Sequence, residues 1–245
     1  MVSFKEQVAR IKKEFNFNHN ELSGLIIGMI VFGFIFSFKY WGTQKFDWIY
    51  GLKNLVLITL AAGISLFAHV APQKIYALSL GYKVEFRTWW LGILISLVFA
   101  FATFGNLTLV LAGSASAVFM VRHRLGQFRY GFQIEEQALI AFWGVLGSLI
   151  MAMGFRIGNY FFSQTLFFER GMIICLIFAI CSVLPIPRLE GLNIFFGSRE
   201  IYGIAVVTVL ITTLLLLLGG GWGLLLLIIL GILIGGWFML IGSEK

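Results

Sequence analysis

Charged residues are scarce in this sequence. Asp, Glu, Lys and Arg account for 12% of its 245 residues, whereas hydrophobic residues account for 60%. A soluble domain normally carries about 25% charged residues, so this composition excludes an ordinary soluble protein and favours one embedded in lipid. The net charge of +7 does not indicate nucleic-acid binding, because no basic patch is interleaved with exposed aromatic residues on a soluble fold. We therefore expect membrane lipids, and no nucleic acid, among the partners.

Cysteine is almost absent, and so are the motifs of several functional classes. The two cysteines, Cys175 and Cys181, stand six positions apart on one predicted helix, where they point in different directions and cannot form a disulfide. We expect them to be packing residues, since free cysteine is commonly buried. The sequence contains no nucleotide-binding loop, cysteine-rich metal knuckle or serine–histidine elbow, and no ladder of intramembrane carboxylates that would indicate an ion pump.

The most prominent features of the sequence are long apolar runs. A helix needs about 20 apolar residues to cross the hydrocarbon core of a membrane, and seven apolar runs of 12 to 24 residues are candidate spans. They are Leu22–Phe38, Leu55–Val70, Trp89–Ala112, Ala138–Met153, Met172–Val183, Ile201–Leu218 and Leu224–Ile241.

The distribution of Lys and Arg indicates how these runs are arranged. If all seven cross, the basic residues divide nine to nine between the two sides. If Trp89–Ala112 is instead a re-entrant hairpin with a break at Gly105-Asn106, and the N-terminus is cytoplasmic, thirteen basic residues are cytoplasmic and five lie outside. The positive-inside rule favours the second arrangement, in which protein must cover the non-helical backbone.

The predicted fold is an all-α polytopic membrane protein with about six transmembrane helices, a re-entrant hairpin and a short β element at the cytoplasmic face. Residues 1–20 are expected to form an amphipathic helix in the headgroup region, because apolar residues recur at helical spacing between Lys and Arg. Residues 21–245 are expected to form a single membrane domain. The β element is predicted within residues 114–137, around the β-prone run Ala117–Val121. We expect a cell-membrane location with both termini in the cytoplasm.

Two polar clusters beside predicted spans are candidates for function, because polar residues at membrane depth are costly. The first is His69-Val70-Ala71-Pro72-Gln73-Lys74, at the cytoplasmic end of the second span. The second is Leu184-Pro185-Ile186-Pro187-Arg188-Leu189-Glu190-Gly191, where the fifth span breaks. The predicted topology places both clusters at the same membrane face, where they can meet.

These motifs resemble those of the site-2 proteases, intramembrane zinc metalloproteases with HExxH on one span and P-x-P-x-x-x-L-D-G on a later one. This chain has HVAPQ and LPIPRLEG at the corresponding places. Three further segments are similar to archaeal-type members, in the same order and at similar spacing, so that the resemblance covers about residues 50–205. They are the segments 77–87, 112–118 and 144–149.

The resemblance implies roles for particular residues, and this chain departs from them. In the family, the two histidines and the aspartate bind zinc, and the glutamate after the first histidine activates the metal-bound water. His69 matches the first histidine, whereas Gln73 replaces the second and Glu190 replaces the aspartate. Val70 stands at the base position and has no proton-accepting group. Pro72 lies between the ligand positions and is expected to kink the helix that must hold them together.

The resemblance therefore implies a catalytically degenerate member, a pseudoprotease, since loss of a general base alone typically slows a reaction by about 10²–10⁴-fold. We expect no catalytic residue and no bound zinc at His69, Gln73 and Glu190. His69 is expected to be a neutral, hydrogen-bonded residue, and Glu190 to pair with Arg188 or another cytoplasmic-face cation. The retained scaffold implies a groove that binds or regulates transmembrane segments of other proteins. Its motif residues are Pro72, Pro185, Pro187, Arg188 and Gly191.

Two alternatives stay open on the sequence. The first is an active zinc metalloprotease with unusual ligands, whose base comes from elsewhere, for example from Glu190. The second is a small-molecule carrier or a structural membrane subunit, although the sparse polar residues argue against a water-filled path.

Overall fold

The computed structural model describes residues 4–41, 47–119, 133–162, 165–218, 223–224 and 226–227. Eight α-helices and two strands lie in this part of the chain, and a 3₁₀ turn, Phe38–Trp41, extends the second helix. In chain order they are α1 Phe4–Glu14, α2 His19–Ser37, α3 Trp48–Leu80, β1 Tyr82–Thr88, α4 Trp90–Ala102, β2 Gly113–Phe119, α5 Ile134–Phe161, α6 Leu166–Val183, α7 Glu190–Gly197 and α8 Arg199–Leu218.

Five of these helices, namely α2 with its 3₁₀ extension, α3, α5, α6 and α8, are long and apolar enough to cross a membrane. Together with the small sheet, they confirm the predicted all-α polytopic membrane fold. The helix α3 is longer than its apolar run: its 33 residues extend about 50 Å at about 1.5 Å per residue, beyond a hydrocarbon core of about 30 Å. The last predicted span, Leu224–Ile241, lies almost entirely outside the described residues.

The two strands form an antiparallel pair with Tyr82 opposite Phe119 and Thr88 opposite Gly113. The predicted strand around Ala117–Val121 overlaps β2, and its partner is β1, directly after α3. Residues 120–132 of the predicted β element lie outside the described residues. In β1 the side chains of Tyr82, Val84 and Phe86 are buried, as the period of two in a strand requires. The Gln137 side chain covers the other edge of β2, since it donates to the Ala115 carbonyl and accepts from the Ala117 N–H.

The segment between the strands is a re-entrant hairpin, as the distribution of basic residues predicted. The helix α4 has 13 residues and is about 20 Å long at about 1.5 Å per residue, too short to cross a membrane. The chain reverses at Phe104 and Gly105, which both have positive φ, and returns through the non-helical segment 107–112. Both ends of the hairpin meet where Thr88 pairs with Gly113.

The sheet defines one end of the helix bundle, which we call the sheet end. Helix α3 ends directly before β1, and α2 and α5 both begin beside the strands, where Glu21 accepts from the Phe86 N–H and Gln137 contacts β2. The short connection from Phe161 to Leu166 makes α6 antiparallel to α5, so that α6 ends at the sheet end. The helix α8 begins there and runs parallel to α5.

A buried ion pair fastens the sheet end. Lys74 of α3 contacts Glu21 of α2 at 2.7 Å between Nζ and Oε2, with both side chains at most 4% exposed. Lys74 also donates to the Asn16 carbonyl and lies over the Phe17 ring. Glu21 accepts from the Phe86 N–H. One carboxylate and one ammonium therefore join α2, α3 and β1, and the charges satisfy each other away from water.

We expect Glu21→Gln to destabilise the protein by about 3–5 kcal/mol, because it leaves the Lys74 ammonium buried without a counter-charge. The measurement is the free energy of unfolding in mixed micelles, followed by tryptophan fluorescence. The matched control is Glu14→Gln, which removes the carboxylate of a more exposed pair with Lys83 and should cost at most about 1 kcal/mol. Equal losses in the two variants would contradict this role of the buried pair.

Tyr82 gives the sheet end a dependence on high pH. Its hydroxyl donates to the Glu136 carboxylate, and burial, together with this hydrogen bond and negative charge, raises the Tyr82 pKa from 10.0 to about 12. The folded state thus holds the phenolic proton more tightly than the unfolded state does. This stabilisation is complete below pH 10 and is lost as the pH rises towards 12.

Wild-type stability should accordingly fall more steeply with pH than that of Tyr82→Phe over the range from 10 to about 12. The measurement is the denaturant midpoint as a function of pH, with Tyr160→Phe at an exposed tyrosine as the control. Parallel pH profiles for wild type and Tyr82→Phe would show that Tyr82 makes no such contribution.

Candidate functional site

The two polar clusters that the sequence singled out do meet, inside the bundle near its sheet end. Helix α3 presents His69 and Gln73, which lie one turn apart on the same face. The short helix α7 begins with Glu190, and α5 contributes Ser148. These four side chains, which we call the polar cluster, are all at most 1% exposed.

Hydrogen bonds connect every member of the polar cluster. His69 Nε2 lies 2.8 Å from Glu190 Oε2, and His69 Nδ1 lies 2.8 Å from Ser148 Oγ. Gln73 Nε2 donates to Glu190 Oε1 at 2.5 Å. A neutral imidazole satisfies this arrangement, because its Nε2–H donates to the carboxylate while Nδ1 accepts from the Ser148 hydroxyl. Both ring nitrogens of His69 are therefore hydrogen-bonded.

The break between α6 and α7 places the carboxylate. Pro185 and Pro187 lie in the non-helical residues after Val183 and cannot donate backbone hydrogen bonds that would continue α6. Glu190 stands in the first turn of α7, where the positive end of a helix dipole favours a negative charge. Gly191 lies so close to the carbonyls of Val183 and Leu184 that no side chain would fit. Pro185, Pro187 and Gly191 therefore shape the backbone that positions Glu190.

Arg188 is not the partner of Glu190, contrary to the expectation from the sequence. Arg188 is exposed and has a left-handed backbone with φ of 69°, whereas Glu190 is fully buried and accepts from His69 and Gln73. The reason is geometric: the turn at Arg188 directs the chain back into the bundle, so that neighbouring residues in sequence separate between solvent and interior.

Pro72 does not separate the two positions of α3. The helix continues from Trp48 to Leu80 through the proline, and both His69 and Gln73 reach Glu190. A proline in a helix leaves the carbonyl four residues earlier without its usual donor, here that of Ala68. Gly147 of α5 packs directly against this carbonyl and the Pro72 ring. Helix α5 therefore packs closely over the Ala68 carbonyl and the Pro72 ring.

A second glycine of α5 makes room for the amide. Gly144 lies opposite Gln73, and a Cβ at this position would collide with the Gln73 side-chain amide. Absence of a side chain here lets α5 approach α3 closely enough for Ser148, one turn further along, to reach His69. The spacing of Gly144, Gly147 and Ser148 is thus a packing pattern that also positions a hydrogen-bonding group.

Apolar groups surround the polar cluster. Val70, at the position where the resemblance implies a general base, is 0% exposed and belongs to the main hydrophobic core. The Phe178 ring of α6 lies 4.4 Å from the His69 imidazole, centroid to centroid. Neither group can accept a proton, so the apolar residues around the imidazole provide packing rather than a base.

The polar cluster does not have the geometry of a zinc site. Two ligand atoms at about 2.1 Å from a tetrahedral zinc ion lie about 3.4 Å apart, whereas His69 Nε2 and Glu190 Oε2 are 2.8 Å apart and in direct hydrogen bond. Gln73 directs an amide N–H, which is a donor and not a ligand, to the same carboxylate. Within the described residues, no group of three or more His, Cys, Asp or Glu side chains is placed to hold a metal ion.

Ser148 is the member of the cluster that sequence reasoning missed, although the segment 144–149 was recognised as part of the resemblance. The only available signal was a polar side chain within an apolar helix. The order hydroxyl, imidazole, carboxylate is that of a hydrolytic triad with the two ring nitrogens exchanged. Ser148 is 0% exposed, however, and the hydroxyl is enclosed by packed helices. The arrangement as it stands pairs buried polar groups with one another, except for the Gln73 Oε1 atom, which is buried and accepts no hydrogen bond from the described residues.

We expect Gly144→Ala to destabilise the protein by about 1–3 kcal/mol, because the added methyl group must displace Gln73 or push α5 away from α3. The control is Gly154→Ala on the same helix, where nothing lies within 4 Å of the added atom. It should be neutral or stabilising by up to about 1 kcal/mol from helix propensity. Thermal unfolding in detergent measures both variants, and similar destabilisation by the two would contradict the proposed packing.

Comparisons with known proteins identify no relative. No family model matches the chain, and neither a curated protein nor a solved structure matches it significantly.

Proposed function

We propose that this chain is a membrane protein without proteolytic activity, built on a site-2 protease-like plan, that binds transmembrane segments of other proteins. The observation that carries the proposal is the closed polar cluster. The positions that the resemblance assigns to zinc ligands come together in space, but they bond to each other through an amide, an imidazole and a carboxylate.

The chemistry of the polar cluster supports the absence of proteolysis. A zinc protease needs three ligands, an open fourth position for water and a base beside it. Gln73 supplies neither an imidazole nor a carboxylate, and Val70 supplies no base. The only carboxylate in the cluster, Glu190, already accepts two hydrogen bonds. The nucleophilic water would therefore have no site and no base.

The re-entrant hairpin offers a surface for a partner segment. It joins the helix α4 to the non-helical segment 107–112, whose Val110 and Leu111 N–H groups are satisfied by Cys181 and Ser96. On α4, the side chains of Leu91, Leu94 and Val98 are each 57% exposed and form an apolar stripe. A transmembrane helix could lie along this stripe with no new polar group to desolvate.

We place the sheet end at the cytoplasmic face of the cell membrane, with both termini on that side. The argument is the distribution of Lys and Arg, thirteen against five, together with the hairpin that this count requires. The amphipathic helix α1 fits the same orientation, since its Arg10 reaches the Leu78 carbonyl near the end of α3 and its lysines can contact anionic headgroups.

Photo-crosslinking in lipid nanodiscs tests the proposal. The probe is a biotin-labelled peptide of about 20 Leu and Ala residues, long enough to span the bilayer. A photoactivatable residue at Leu94 of α4 should give crosslinks that saturate and that unlabelled peptide displaces. The matched control is the same residue at Leu210 of α8, which is similarly exposed at 61%, and it should give weaker, non-saturating crosslinks. No cleavage of the peptide is expected.

Two results would contradict the proposal. Equal, non-saturating crosslinking at Leu94 and Leu210 would show that the hairpin is an ordinary lipid-facing surface. Cleavage of the peptide that a chelator or His69→Ala abolishes would revive the metalloprotease alternative.

A further inference from the structure

A cavity opens at the opposite end of the bundle from the polar cluster. Its volume is about 470 Å³, within the range of about 300–1,000 Å³ that is usual for small-molecule sites. Residues of three helices line it: the end of α5, the beginning of α6 and the end of α8. The proposed function involves neither this cavity nor its residues.

Three polar side chains of unlike chemistry line the cavity, namely Arg156 and Asn159 of α5 and Glu169 of α6. The side-chain oxygen of Asn159, Oδ1, is buried and accepts no hydrogen bond from the described residues. Within the same part of the chain, Arg156 and Glu169 form no hydrogen bond or ion pair with each other or with any other side chain. The cavity thus presents a cation, an anion and an unused acceptor.

The remaining wall is apolar. Met172 and Ile173 follow Glu169 on α6 by one turn and lie deeper in the bundle, whereas Leu216 and Leu217 come from the last turn of α8, at the bundle end. Because α6 begins at this end of the bundle, Glu169 lies nearer the headgroup level than Met172 and Ile173. An amphiphile whose headgroup pairs with Glu169 can therefore lay its first acyl carbons against these two side chains.

We propose that this cavity binds the headgroup of a phospholipid that carries a primary ammonium, such as phosphatidylethanolamine. Arg156 pairs with the phosphate through the fork of its guanidinium. Glu169 pairs with the ammonium, and the Asn159 oxygen accepts one of its N–H bonds. The apolar wall contacts the first carbons of an acyl chain.

The unused acceptor determines the choice of headgroup. An ethanolamine ammonium has three N–H donors, which matches a carboxylate and an amide oxygen together. A choline headgroup carries the same charges but no N–H donor, so it leaves the Asn159 oxygen unsatisfied, which is unfavourable for a buried group. A glycerol headgroup has no positive charge for Glu169. The site should therefore prefer ethanolamine over both.

The test is native mass spectrometry of the full chain released from detergent with phosphatidylethanolamine, phosphatidylcholine or phosphatidylglycerol of identical acyl chains. The wild type should bind one phosphatidylethanolamine with an affinity about fivefold or more above the other two lipids, as expected for one partly buried charged hydrogen bond. Asn159→Leu should abolish the preference for ethanolamine over choline, whereas Glu169→Gln should abolish the preference for ethanolamine over glycerol. Arg156→Gln should weaken the binding of all three phosphate-containing lipids.

The controls carry the same charge changes at the other end of α8. Arg199 and Glu200 lie on its exposed first turn. The variants Arg199→Gln and Glu200→Gln should leave lipid binding unchanged. Each variant is first shown to elute as a single species of wild-type size, so that misfolding is not scored as lost binding.

Three results would overturn the proposal. The first is equal binding of the three lipids by the wild type. The second is control variants that lower binding as much as the site variants do. The third is a thermal stability that falls in Arg156→Gln and in Glu169→Gln, recovers in the double variant and does not depend on lipid, since this would show that the two charges only pair with each other.

Discussion

The hydrogen bond between His69 and Glu190 is the interaction on which the interior of this protein depends. It joins α3 to α7 inside the bundle near the sheet end. Gln73 donates to the same carboxylate, and Ser148 satisfies the other ring nitrogen. A charged carboxylate without partners would be very costly at membrane depth. The position of α7, and with it the path of the chain after α6, is therefore tied to two side chains of α3.

Backbone features bring these side chains together. The prolines after α6 stop that helix and allow α7 to start beneath it, and Gly191 lets the new helix lie against the preceding carbonyls. Gly144 and Gly147 let α5 pack closely against the turn of α3 that contains Pro72. The second buried pair, Glu21 with Lys74, lies one residue beyond Gln73 on α3 and anchors the same helix to α2 and β1. One helix thus carries both polar contacts that fix the sheet end.

Periodicity and charge were sufficient to predict most of the fold. The apolar runs of α2, α3, α5, α6 and α8 lie in helices long and apolar enough to cross a membrane, and the imbalance of Lys and Arg identified the hairpin between β1 and β2. The meeting of His69 and Gln73 with Glu190 followed from topology combined with the resemblance. Apolar runs, charge distribution and motif order extend over many residues, so they can be recognised in a single sequence.

Pairings between distant side chains could not be predicted in this way. Glu190 was expected to pair with Arg188, two positions away, or with another cytoplasmic-face cation. The backbone turn at Arg188 instead exposes Arg188 and buries Glu190, and sequence proximity does not reveal such a turn. Ser148 and Glu21 have partners that are 79 and 65 positions away, so that nothing near them in the chain indicates their contacts. The strand β1 was missed because its alternation is only seven residues long and follows a helix without interruption.

The account depends on His69 and Glu190 being bonded directly rather than through a metal ion. A double-mutant cycle with His69→Leu, Glu190→Leu and the double variant measures their coupling free energy, both before and after dialysis against a strong chelator. We expect a coupling of about 1.5–3 kcal/mol that is the same in both conditions, with less than stoichiometric zinc by elemental analysis. A coupling that disappears with the chelator, together with near-stoichiometric zinc before dialysis, would contradict the closed cluster and restore the metalloprotease interpretation.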